Sequence, residues 1–190
     1  MPGALACTLT EPCAMQLSGL SLASSNTVRI VASGVACGTG SPATSTFVGL
    51  AGTTSATAPA YKVYDFALGP VTGGTAGALY RICWAARPSV VSDFSVDFGI
   101  FTLNGPLTLA ISKECPMTVA CRLQVSGTGL ISSNTVKVVH AATGCTASAA
   151  TPVGYTGAIF ISNASSSTYS DVFDFGTTTA GLASADFQVC

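Results

Sequence analysis

The sequence predicts an all-β protein: two tandem Ig-like antiparallel β-sandwiches, disulfide-stapled, over residues 1–106 and 107–190. Three observations carry this expectation. One run occurs twice, at 14–31 and 122–139, with ten of eighteen positions identical and a constant offset, the mark of a repeated unit. The eight cysteines keep the same spacing, so that Cys7, Cys13, Cys37 and Cys83 map onto Cys115, Cys121, Cys145 and Cys190. The remaining chain is built of short β-rich stretches separated by Gly, Pro and Ser turns, with no sustained 3.6-residue apolar period.

Along the first copy, residues 1–13 hold two cysteines among polar turns. Met15, Leu17, Leu20 and Leu22 alternate with polar residues, with a shift at Ser18-Gly19 that predicts a bulge or tight bend. Ala23-Ser24-Ser25-Asn26 is a turn cluster. Residues 27–31 are a short β-rich strand, 33–46 a loop around Cys37, and 47–50 a further strand. The stretch from Thr53 to Ala60 reads as a polar loop. Residues 61–66 alternate as a strand, 69–77 return to loop, and 79–84 read as a core strand. Residues 93–103 form a long strand or a bulged pair that bends at Gly99. Asn104-Gly105-Pro106 closes the unit.

The second copy repeats this order. Phe173-Asp174-Phe175 stands for Tyr64-Asp65-Phe66, and Phe187-Gln188-Val189-Cys190 for Tyr80-Arg81-Ile82-Cys83. It reaches Cys190 without a counterpart of the first copy's closing strand. Two readings stay open: a window cut from a longer repetitive chain, or a closing strand donated by a neighbour. Both lead to a linear array.

Charged residues are 8% of the chain and the net charge is −1, against about 25% charged in average domains. No basic footprint for nucleic acid exists, and no apolar stretch is long enough to span a membrane. Ser and Thr supply 46 residues, so hydroxyls, glycans or burial in an assembly must carry solubility. Four cysteines per copy read as two disulfides in an oxidising compartment, with three pairings possible in each. A zinc site is disfavoured, because no C-x-x-C occurs and His140 is the sole histidine. The expected location is extracellular; residues 1–6 do not have the form of a secretory leader.

Few groups can carry chemistry. A Ser-His-Asp arrangement has only His140 to use, which follows a strand end and reads as a solvated loop residue. The carboxylates Glu11, Asp65, Asp93, Asp97, Glu114, Asp171, Asp174 and Asp186 read as surface or turn-capping groups. Asp93 and Asp97 lack the dense pattern of a calcium loop. Gly73-Gly74-Thr75-Ala76-Gly77 lacks the Lys of a phosphate-binding loop. Tyr61, Tyr64, Phe66 and Phe94 read as core or interface residues. The chain is thus expected to be no enzyme and to take no cofactor or metal. Asn163-Ala164-Ser165 is an N-glycosylation sequon. Thr44, Ser45, Thr46 and Thr57 lie in Thr/Ser stretches near proline that suit O-glycosylation.

Three pieces carry a family resemblance. They are the Ser-Gly-x-x-Leu-x-Ser-Ser-Asn-Thr-Val run at 18–28 and 126–136, the strand Tyr80-Arg81-Ile82-Cys83-Trp84, and Phe94-Ser95-Val96-Asp97-Phe98-Gly99 leading to Thr102-Leu103-Asn104-Gly105-Pro106. Together they resemble tandem repeats of large secreted proteins of algae and other protists. A Cys often follows the Trp there, where this chain has Ala85, and the Tyr-Arg pair becomes Phe187-Gln188 in the second copy. The resemblance implies an extracellular glycoprotein that builds or decorates a filament, with copies of itself and covalent glycans as partners. The alternative is a monomeric surface adhesin binding carbohydrate or a protein partner.

Overall fold

The computed structural model describes residues 5–40, 53–57, 63–65, 71, 73–77, 79–107, 114–142, 145, 160–161, 170–177 and 187–190. Among these residues the protein is all-β, its only helical element a three-residue 3-10 turn at Val91–Asp93. The chain divides into two compact units, Met1–Gly105 and Pro106–Cys190.

In unit 1 the strands are β1 (Leu5–Thr8), β2 (Ala14–Gln16), β3 (Thr27–Ala32), β4 (Thr53–Thr57), β5 (Val63–Asp65), β6 (Leu79–Ala85) and β7 (Val96–Pro106). Their order in the sheet is β1-β7-β6-β3-β4-β5-β2. Every described pairing is antiparallel except β1 with β7, which runs parallel from Leu5↔Phe101 to Thr8↔Asn104. The sheet curls. Strand β4 pairs with β3 at Thr53–Ser55 and then with β5 at Ala56 and Thr57. The two end strands, β1 and β2, are neighbours in sequence and are joined by the Cys7–Cys13 disulfide.

The inner face follows the two-residue period of the strands. Val28 and Ile30 of β3, Tyr80 and Ile82 of β6, Phe101 and Leu103 of β7, Tyr64 of β5 and Met15 of β2 form one buried cluster. Trp84 Nε1 donates to Tyr64 Oη at 3.4 Å, so the phenol meets a polar partner inside the core. Burying each large side chain of this kind stabilises the fold by about 1.5–3 kcal/mol. Strand β3 is buried on its opposite face too. There Val31, Cys83, Ala85 and Phe94 form a second cluster with Val35 and Cys37.

Two local features differ from the sequence expectation. Residues 53–57 are a strand, not a polar loop: threonine is β-branched and suits a strand when a neighbour offers a ladder, and β3 and β5 both do. Residues 5–8 form β1 where polar turns were expected, because β7 supplies a partner about 95 residues away in sequence, a pairing no local pattern encodes. The bend at Gly99 is a true irregularity. Ile82 opposes Gly99 while Cys83 opposes Asp97, leaving Phe98 as the extra residue. Gly99 takes φ +128° there, a value open to glycine.

In unit 2 the strands are β8 (Ala120–Thr128), β9 (Thr135–Val136), β10 (Val138–His140), β11 (Phe160–Ile161), β12 (Ser170–Thr177) and β13 (Phe187–Val189). The pairs are β8 with β12, β9 with β11 and β10 with β13, all antiparallel. Their register matches unit 1. Leu123 opposes Phe173 as Met15 opposes Tyr64, and Val139 opposes Gln188 as Val31 opposes Arg81. Lys137 and Cys190 exchange both backbone hydrogen bonds, at 2.8 and 2.7 Å, where unit 1 pairs Arg29 with Cys83. The core is Cys121, Val136, Val138, Phe173 and Phe175.

Candidate functional site

The repeated run acts as a turn before β3 and before β9. Asn26 Oδ1 accepts the Ala23 N–H at 2.7 Å and Asn134 Oδ1 accepts the Ile131 N–H at 2.7 Å. The backbone bonds Asn26 N–H to Ala23 O and Asn134 N–H to Ile131 O close the same turns. Asn26 also donates through Nδ2 to Ala86 O at 3.2 Å, tying the turn to the chain that leaves β6.

The eight cysteines pair as Cys7–Cys13, Cys37–Cys83, Cys115–Cys121 and Cys145–Cys190, with Cα–Cα distances of 5.4, 5.4, 5.3 and 5.5 Å. Of the three pairings open in each copy, both units adopt the same one. Each has a short six-residue staple and a long one, 46 residues in unit 1 and 45 in unit 2.

Asp93, Asp97 and Asp174 take local tasks. Asp97 pairs with Arg81 and its Oδ1 accepts the Gly99 N–H at 3.0 Å. Asp174 pairs with Arg122 at 2.8 Å and accepts the Gly176 N–H at 2.8 Å. The two Asp-Phe-Gly triplets thus build the same device, a bulge glycine held by the aspartate that also grips an arginine across the ladder. The Gly176 N–H first, then Arg122, hold the Asp174 carboxyl below the usual carboxylate range. His140 ends β10 with its ring 5.0 Å from that of Phe187. Among the described residues no cluster of three His, Cys, Asp or Glu is placed to hold a metal. Asn163, Thr44, Ser45 and Thr46 lie outside the described residues. Thr57 falls in β4, its backbone paired with Val63 rather than in a free loop.

The feature the sequence reading missed is Arg29. It sits mid-β3 with Thr27 and Val31 on the face away from the main core, and is only 6% exposed. Its Nε is buried without a hydrogen-bond partner among the described residues. Desolvation alone pushes its pKa below the usual arginine value. Phe94 lies beside it, the ring centroid 5.6 Å from Cζ, within cation–π range. Arg29 lines a groove of about 440 Å³ with Thr27, Pro88, Ser89, Val90, Val91 and Phe94.

Asp93 does not line that groove but holds the turn that does. Its Oδ2 accepts the Ser89 N–H at 2.6 Å, the Val90 N–H at 3.0 Å and the Ser89 hydroxyl at 3.1 Å. The Ser89 and Val90 N–H groups lower its pKa. This aspartate therefore folds 89–93 into a closed turn and sets Phe94 over β3. A β-strand arginine between two valine-like positions carries no sequence signal for this. Only the return of residues 88–94 over β3 makes it a site.

Comparison of the chain with protein-family models, curated proteins and solved structures finds no match.

Proposed function

We propose that this protein is a non-enzymatic structural subunit of an extracellular filament or surface array, glycan-bearing and joined head to tail. The observation that carries the reading is the agreement of the two units. They share strand registers, the Asn-held turn and the disulfide pairing, as modules of a repeated array do. Four disulfides suit an oxidising, extracellular setting. Few charges suit surfaces that are buried between copies.

We read each unit as an Ig-like sandwich. In unit 1 the support is β4, which leaves β3 for β5 midway and so divides the curled sheet into two layers around one core. The parallel β1–β7 pair covers the edge of the layer that carries β6. We read the edge of β13 away from β10 as a place where a neighbour's strand pairs. A monomeric adhesin is the second reading, favoured by the groove at Arg29.

Negative-stain microscopy and sedimentation of native material test the proposal. Uniform filaments or concentration-dependent assembly are expected. A monodisperse monomer with measurable affinity for a sugar or a protein partner would favour the adhesin instead.

A further inference from the structure

A guanidinium that is buried and unpaired is costly unless something arrives to pair it. Arg29 has no ion pair or hydrogen bond among the described residues, yet it faces a groove rather than packed core. The groove is lined by the cationic Arg29, by the hydroxyl-bearing residues Thr27 and Ser89, and by the apolar Pro88, Val90, Val91 and Phe94. Val90 and Val91 are also exposed, at 57% and 42%. A planar guanidinium matches a carboxylate bidentately, and apolar walls match the methylene stem that carries it. We infer that the Arg29 groove is a carboxylate-binding site, and that its occupant is an acidic side chain of a second copy of this chain. This rests on the self-associating reading above.

The structure names a candidate partner. Glu11 is exposed, in the loop between Cys7 and Cys13, and its carboxylate has no partner among the described residues. It cannot reach its own Arg29. The groove adjoins the start of β7, beside Phe94, whereas the loop of Glu11 adjoins Asn104 near its end. Eight strand residues separate those points, about 25 Å. A site at one end of a unit and its complement at the other make a heterologous contact, which propagates into an open chain of copies instead of closing as a dimer. Lys137 stands at the Arg29 position in unit 2, with a point charge in place of the fork.

The test compares wild type with Arg29→Met, Arg29→Lys, Glu11→Gln and Glu114→Gln. Sedimentation velocity reads association, and thermal melts read binding of sodium propionate against sodium chloride at equal ionic strength. Propionate is expected to raise the wild-type midpoint, to leave Arg29→Met unmoved, and to weaken assembly by competition. Arg29→Met and Glu11→Gln are each expected to weaken association about thirtyfold, Arg29→Lys less, and Glu114→Gln negligibly. An Arg29→Met protein that responds to propionate, or assembles, as wild type does would overturn the site. Loss of assembly in Glu114→Gln but not Glu11→Gln would overturn the assignment to Glu11. A wild type that stays monomeric throughout would overturn both the filament reading and the second-copy occupant, and the propionate melts would still decide the carboxylate site.

Discussion

Arg122 donates from Nε to Asp174 Oδ2 at 2.8 Å across β8 and β12, while Oδ1 of the same carboxylate accepts the Gly176 N–H. One carboxylate thus ties a bulge to the opposing strand. Unit 1 repeats the arrangement between Arg81, Asp97 and Gly99. The aspartate sits two residues before a glycine at positive φ in both cases, +68° at Gly176 and +128° at Gly99.

This predicts a pH dependence. The Asp174 pKa is lowered in the folded state below 3.8, so its contribution is fully present above that value and is lost as pH falls toward the folded pKa. Thermal melts on either side of pH 3.8 should show a wild-type midpoint that falls on acidification. The Asp174→Asn variant should show a shallower fall. Equal slopes would sink the assignment.

The buried turn asparagine should matter more than its exposed counterpart. Asn26 is 4% exposed and makes two side-chain bonds, whereas Asn134 makes one at the surface. Asn26→Ala strands a backbone N–H and a carbonyl and should cost about 1–3 kcal/mol in chemical denaturation. Asn134→Ala should cost less than half as much.

The two staples of unit 1 should differ in worth. Cross-linking entropy grows with the logarithm of the closed loop. Closing 46 residues with Cys37–Cys83 should therefore stabilise by about 2 kcal/mol more than closing six with Cys7–Cys13. Urea unfolding of the paired Cys→Ala variants measures the difference, and a larger loss from the short staple would contradict the entropic account.

Arg29→Met should raise stability while removing the binding proposed above. The guanidinium Nε is buried without a hydrogen-bond partner among the described residues, and an apolar side chain of similar length removes that unsatisfied donor. A gain of about 1–3 kcal/mol is expected in urea unfolding. A loss instead would mean that the charge has a native partner.

Asp93→Ala should loosen the groove without touching Arg29. It removes three hydrogen bonds that hold 89–93. Faster hydrogen exchange at Ser89 and Val90 is the expected signature, together with weaker propionate binding. Unchanged exchange would show that packing of Phe94 alone holds the turn.

Much of this was legible in the residues. The doubled run and the repeated cysteine spacing were plain in the sequence, the alternation at 79–84 announced a core strand, and Gly99 announced a bend. These features are local, or repeat at a fixed interval, so periodicity and turn chemistry suffice to read them. Tertiary structure decided the rest, because it turns on which distant strands meet. Four cysteines per unit allow three pairings, and only the approach of residue 37 to β6 selects Cys37–Cys83. Thr53–Thr57 became a strand because β3 and β5 lay beside it. Arg29 is an ordinary strand residue in sequence. It became a buried cation, its Nε without a partner among the described residues, only when Asp93 folded residues 88–94 back and brought Phe94 over β3, a long-range burial that no local pattern records.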